Sequence, residues 1–389
     1  MKAIIGKEII TMNEKREKIK NGIILIDENG KISFVGKKEE VPIPDNTEIL
    51  EAPESIITPG LVDAHSHLGI IPEELDWEYS DVNDYYSPVT AHLKAIDAID
   101  PFDEGFKEAL EGGVTTVYTG PGSANVIGGI GTIIKTYGKS LTEMVVDPEA
   151  ALKMALGPKR QQEYKSKTPY PTSRMGTVAL LRTWLLKAKR YSEGKIDGEK
   201  LDEEERIILQ VIAKVLSGKM IAKIHLSTSP DEILSILRII DEFKFYATID
   251  HVFGGQLLLD EILKRKVPVV YGPPMLSKVA AYFKYMADDA PVMMYRKGVS
   301  VSLMTDHPVI PEKHLRLLAA VTVKNGLTLD EALELVTINP AKALRIEKQV
   351  GSIEVGKDAD IVIASGHPIK PKTRIEKVLV MGKLAYSSE

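Results

Sequence analysis

The chain has 389 residues, 44% hydrophobic and 27% charged, the balance of a globular protein long enough for a large barrel beside a smaller domain. Its 50 basic and 55 acidic residues are closely mixed and leave a formal charge of −5, so no basic tract points to nucleic acid. No apolar run approaches the roughly 18 residues that span a bilayer, and the absence of cysteine removes disulfides, thiolate metal sites and cysteine nucleophiles.

The first stretch, M-K-A-I-I-G-K-E-I-I, lacks the apolar core and cleavage site of a signal peptide, and a cytoplasmic protein is expected. Residues 1–58 read as short strands. Gly22-Ile-Ile-Leu-Ile and Lys31-Ile-Ser-Phe-Val flank Asp27-Glu-Asn-Gly30, a hairpin with an N-G turn, and Thr47–Leu50 and Ser55–Ile57 add two more strands. So small a sheet needs a partner. The strand–turn–strand patterns from Val350 and from Lys377 offer one. Pro59-Gly60 breaks the chain, and Leu-Val-Asp-Ala-His-Ser-His follows as a buried strand. His65 and His67 sit two apart, so on a strand both imidazoles leave one face, which makes half of a metal site.

From 59 to 347 apolar strands alternate with helical patterns, the mark of a βα architecture. Strands are expected at Gly60–Ala64, Thr115–Thr119, Ala150–Gly157, Ala222–His225, Thr248–His251, Val267–Tyr271 and Ser300–Thr305. Helices are expected at Phe102–Gly112, Pro230–Glu242, Gly255–Arg265 and Leu329–Ile338, the last with Thr328 as N-cap. About 158–219 the chain is helical and charged. It reads as an insertion bordering the active-site mouth, or as an outer helix pair without a role. Thr119–Gly131 reads as a loop whose five glycines would let backbone amides approach a ligand.

The run I-I-T-P-G-L-V-D-A-H-S-H-L-G at Ile56–Gly69 resembles the amidohydrolase superfamily, whose first barrel strand ends in H-x-H. G-S-I-E-V-G-K-D-A-D-I-V from Gly351 and Asn339-Pro340-Ala are similar to that family's tail and last-helix signatures, and G-S-A-N-V-I-G-G looks like a run of its subgroup related to imidazolonepropionase. The resemblance implies an α/β fold: a (β/α)8 TIM-like barrel over 59–347, with a helical insertion at about 158–219, and a small β-sandwich formed from both chain ends, 1–58 plus 348–389. His65, His67, His225, His251 and Asp306 stand at the ends of strands in the superfamily's ligand order. It implies a divalent metal, one ion or two. Zinc suits the donors best, and Lys153 or Lys223 is open as a carbamylated bridge, with a structural lysine as the alternative for each.

The chemistry implied is hydrolysis of an amide, lactam or peptide-like C–N bond of a small molecule by a metal-activated water, with Asp306 as general acid and base. Ser123, Asn125 and Tyr271 are expected to contact substrate. Arg174 is read as a surface ion pair, and His307 as pointing away from the site. Deaminase-like members carry a glutamate shortly after the histidine equivalent to His225, where this chain has Leu-Ser-Thr-Ser. Deamination or ring opening of a nucleobase-like heterocycle and a catalytically silent scaffold stay open as alternatives, as does a homo-oligomer.

Overall fold

A computed structural model describes residues 1–73, 80–156, 171–226, 229–278 and 281–388. Among these, the strands are β1 (Lys2–Ile10), β2 (Lys18–Ile26), β3 (Ile32–Lys37), β4 (Glu48–Pro59), β5 (Leu61–Ser66), β6 (Val114–Thr119), β7 (Ile127–Lys135), β8 (Val145–Ala155), β9 (Ile221–Leu226), β10 (Ala247–His251), β11 (Val269–Tyr271), β12 (Val301–Leu303), β13 (Ile361–Ala364), β14 (Ile375–Val380) and β15 (Lys383–Ser387).

The two chain ends meet in one seven-stranded sheet of order β15-β14-β13-β4-β1-β2-β3. β13 runs antiparallel to β4, with Ile363 opposite Ile57. Period-two alternation sends Ile4, Ile24, Ile57 and Ile361 to one face and Ala3, Ile5, Ile23 and Leu25 to the other, so both faces are covered. The expected hairpin is β2–β3. Asp27 Oδ1 accepts from the backbone N–H of Asn29 and of Lys31, and Gly30 takes φ 76° to close the turn. The two strands expected at 47–57 are one, β4. Its ladder with β1 slips between Ala52 and Ile56, around Pro53, which has no N–H to donate.

β5 to β12 form the eight-stranded barrel sheet in chain order. One strand corrects the sequence reading. Much of the expected glycine loop is β7, buried throughout and antiparallel to both β6 and β8, which leaves only 120–126 as loop. The glycines answer to packing. A Cβ on Gly131 would lie 2.1 Å from Tyr118 Oη, and one on Gly129 would lie 2.6 Å from Leu93 O. Residues 80–98 cover β7, bridging Val89 to Ile127 and Lys94 to Ile130. At the far end of β7, Lys135 pairs with Asp358 at 2.8 Å and Asp360 at 2.7 Å, so the K-D-A-D tail fastens the terminal sheet to the barrel.

Among the described residues no ladder joins β12 to β5. The expected helix Leu329–Ile338 divides there, into Leu329–Glu334, capped by Thr328 with Glu331, and Ile338–Ala343. The residues between them enter the seam. Leu303 N–H donates to Leu335 O at 2.9 Å, and Val62 N–H to Val336 O at 2.8 Å. Residues 157–170, the start of the expected insertion, lie outside the described residues, as do Ser227 and Thr228. The insertion's helices, Arg174–Ser192 and Glu203–Leu216, stand between β8 and β9 in chain order and bury Leu181, Leu185, Leu209 and Ile212. No described helix is long and apolar enough to cross a membrane.

Candidate active site

The ends of β5, β9, β10 and β12 converge. The ligand atoms of His65, His67 and Asp306 lie within 4.8 Å of one another. His65 Nε2 and His67 Nε2 each stand 3.3 Å from Asp306 Oδ1. The His251 ring lies 5.1 Å from that of His65 and 4.1 Å from that of His225, centroid to centroid. All five expected ligands are thus gathered in one cluster.

Outer contacts set the tautomers. His67 Nδ1 lies 2.7 Å from Gly120 O and His251 Nδ1 lies 2.8 Å from Gly272 O. A carbonyl only accepts, so each Nδ1 carries the hydrogen and each Nε2 presents a lone pair. His65 Nδ1 likewise donates to Asp250 Oδ2 at 2.7 Å. The inward Nε2 atoms and the Asp306 carboxylate therefore meet as acceptor against acceptor, and the buried His251 Nε2 has no hydrogen-bond partner. Such a gap attracts a cation, and imidazole with carboxylate is a donor set that divalent metals take.

Electrostatics agree. Burial pushes the His251 ring down to about 3. Burial, then the neighbouring Lys153, lowers His65, while burial and then His251 hold His225 well below the usual range. These three imidazoles are held neutral at pH 7, as ligation requires. Burial alone would raise Asp306, but the closeness of the His65, His67 and His251 imidazoles outweighs it and holds the carboxyl well below the usual range.

Two of the expected ligands reach the site through unusual backbone. Asp250 and His251 are neighbours, which a regular strand would send to opposite faces. Here both meet His65, because His251 takes φ 69° and Val252 φ 54°. Asp306 takes φ 53°, beyond the last residue of β12. Left-handed backbone in such residues costs about 1–3 kcal/mol each and persists where the surroundings impose it. His307, next along, is turned aside. Its Nδ1 accepts from the Glu312 N–H at 3.2 Å, and its Nε2 lies 3.4 Å from Glu73 Oε2.

Asp250 went unremarked in the sequence. It is buried, accepts from His65, and pairs with Lys223 Nζ at 2.8 Å. Burial would raise this carboxyl, but Lys223 and His65 hold it below the usual range. Lys153 stands beside Lys223 in register on β8 and β9, with its Nζ 3.1 Å from His65 Nε2. Burial, more than Lys223, brings the amine down to about 8. Neither lysine is solvated.

The remaining expected residues are less direct. The Tyr271 hydroxyl donates to Ala287 O at 2.7 Å and accepts from Ala287 N at 3.2 Å, so the backbone occupies the group expected to contact substrate. The Asn125 side-chain amide donates to Asp84 O and Ser87 O, both at 2.7 Å, tying loop 120–126 to the chain that covers β7. Ser123 is half-buried in that loop. Arg174 pairs with Asp231 at the surface.

Known proteins resemble this chain in sequence and fold. The Amidohydrolase family profile matches residues 277–385. The crystal structure of an amidohydrolase from Thermotoga maritima superposes with a TM-score of 0.89 at 34% identity, covering 99% of this chain and 100% of that one. Amidohydrolase tasK from Hapsidospora irregularis is 29% identical over 90% of this chain, which spans 38% of tasK. A 5-methylthioadenosine/S-adenosylhomocysteine deaminase from Caldanaerobacter subterraneus is 26% identical, covering 99% of this chain and 89% of the relative. An imidazolonepropionase from Fusobacterium nucleatum is 25% identical, covering 89% and 86%.

Proposed function

The chain belongs to the amidohydrolase family, in a subgroup related to imidazolonepropionase, and we propose that it hydrolyses an amide, lactam or peptide-like C–N bond of a small molecule with a divalent cation held by His65, His67, His225, His251 and Asp306. The observation that supports this most is the inward meeting of acceptors, with His67 Nε2 and Asp306 Oδ1 3.3 Å apart while Gly120 O fixes the hydrogen on the far nitrogen of His67. Bound there, a divalent cation would supply a water that ionises near neutral pH and a Lewis acid for the scissile carbonyl. Zinc suits three or four imidazoles and a carboxylate.

The chain's own groups divide the remaining work. Gly120 O, Gly272 O and Asp250 orient the histidines. Asp306, ionised and facing the site, takes the proton of the attacking water and passes it to the leaving nitrogen. Lys153 is the better bridge to a second ion, because it lies against His65 while Lys223 is held by Asp250. Its lowered affinity for a proton favours the neutral amine that reacts with carbon dioxide. Ser123 stands as the substrate contact, on the loop that starts at the Gly120 carbonyl and that the Asn125 amide ties down.

The test is elemental analysis of purified protein, then hydrolysis assays on N-acyl amino acids, dipeptides, lactams and hydantoins with zinc or manganese. Protein that holds no stoichiometric metal and gains no activity with either ion is a silent scaffold. A second reading, deamination, is favoured by the deaminase among the relatives. The Leu-Ser-Thr-Ser run after His225, without a glutamate, weighs against it. Ammonia released from a purine and pyrimidine panel would decide for it.

A further inference from the structure

The residues read above as metal ligands sit on opposite sides of the barrel seam. His65 and His67 belong to β5 and its end, Asp306 to the turn after β12, and among the described residues no strand ladder joins these two strands. Two backbone bonds cross there: Asp306 N–H to His65 O at 3.2 Å, and His67 N–H to His307 O at 3.1 Å. Beneath them lies a buried side-chain cluster. Asp63 Oδ1 accepts from His65 N–H at 2.8 Å, and Asp63 Oδ2 accepts from Thr305 N–H at 2.8 Å and Thr305 Oγ1 at 2.7 Å. Glu312 Oε2 accepts from Ser66 Oγ at 2.8 Å and lies 3.2 Å from Thr305 Oγ1.

Both carboxyl groups are excluded from water, at 0% exposure each, and both meet the Thr305 hydroxyl. Thr305 thus joins Asp63 on β5 to Glu312 beyond β12, and Ser66 ties Glu312 back to the end of β5, a short link that spans the gap between β5 and the chain after β12. The hydrolytic chemistry leaves both groups unused.

We propose that Glu312 is a positioning residue: through Asp63, Ser66 and Thr305 it clamps the seam and thereby sets the separation of His65 and His67 from Asp306. A neutral hydrogen-bonding side chain of the same length should do the same work. The inference rests on reading those three residues as metal ligands, but the clamp itself is measurable without metal.

Three variants test it: Glu312→Gln, Glu312→Leu and Ser66→Ala. Two quantities are read, amide hydrogen exchange at His67 and Asp306 in metal-free protein and the zinc dissociation constant by chelator competition. Glu312→Gln should stay near wild type in both. Glu312→Leu should speed exchange at the two seam amides while the rest of the barrel stays protected, and should weaken zinc binding by about 10–100-fold, the usual effect of losing an outer support of a metal site. Ser66→Ala, which deletes one hydroxyl, should move both in the same direction by less, and it carries the test if Glu312→Leu does not fold. Unchanged seam exchange in the variants overturns the clamp. Faster exchange with unaltered zinc affinity overturns its link to the ligands, and a Glu312→Gln protein as impaired as Glu312→Leu overturns the assignment of the clamp to hydrogen bonds accepted at this side chain. If wild-type protein binds no zinc, the functional reading fails, and seam exchange alone then sustains or overturns the clamp.

Discussion

Asp250→Asn separates two duties of one carboxylate. The native oxygen Oδ2 accepts from His65 Nδ1 at 2.7 Å and pairs with Lys223 Nζ at 2.8 Å, with all three side chains buried. The amide keeps the shape and removes the charge. Lys223 is then a buried ammonium without a counter-ion, a loss that costs about 3–5 kcal/mol of unfolding free energy. His65 loses its anionic partner, so zinc affinity should fall about 10–100-fold, equivalent to about 1.4–2.8 kcal/mol. Adding Lys223→Met removes the stranded ammonium and should restore about half or more of the lost stability, because the two sites are coupled. Zinc affinity should stay low, because His65 is still without its carboxylate. Urea unfolding of metal-free protein across the four-member cycle, with zinc competition on each, reads both quantities. A single variant that binds zinc within about twofold of wild type would refute the role given to Asp250 in orienting His65. A double variant no more stable than the single would refute the role given to Lys223.

Asp306→Asn should keep the fold by circular dichroism and lower hydrolysis at least about a hundredfold; near-native turnover in metal-loaded variant would remove Asp306 from proton transfer. Metal-free protein should lose stability as pH falls from about 6.5 toward 3. In that window an unfolded His251 takes up a proton that the buried ring, at about 3, refuses, so unfolding is favoured by up to about 5 kcal/mol; a flat denaturation midpoint from pH 6.5 to 4 would contradict this. Lys153→Met should reduce the metal bound per chain and abolish any bicarbonate dependence of metal uptake, and unchanged stoichiometry would take Lys153 out of the metal shell. Lys135→Met leaves Asp358 and Asp360 without their shared buried cation and should cost about 3–5 kcal/mol in urea unfolding.

The sequence made the clustered histidines and Asp306 legible because each closes an apolar run, and β5, β9 and β10 lie within a few residues of the runs expected. It hid β7, since a strand written I-G-G-I-G looks like loop until the bulk of Tyr118 on the facing strand is known. Asp250 was hidden by alternation. Only the positive φ of His251 turns two adjacent residues to the same side, and nothing local announces that torsion. The seam was also illegible: Asp63 lies in the motif, but its partner Thr305 is 242 residues away. The burial of Lys153 and Lys223 follows from which face of β8 and β9 looks inward, a fact about the closed sheet and not about either strand alone.

That distance has a consequence for how the molecule is made. β6, β7 and β8 are successive antiparallel neighbours, contacts that a chain finds quickly because the intervening loops are short. Joining β5 to the turn after β12 requires closing a loop that contains most of the barrel. Secondary structure and the β6–β8 meander should therefore appear early in refolding, and capacity to bind metal late. A protein trapped before the last closure would show most of its native strands and helices while its histidines and Asp306 remained apart.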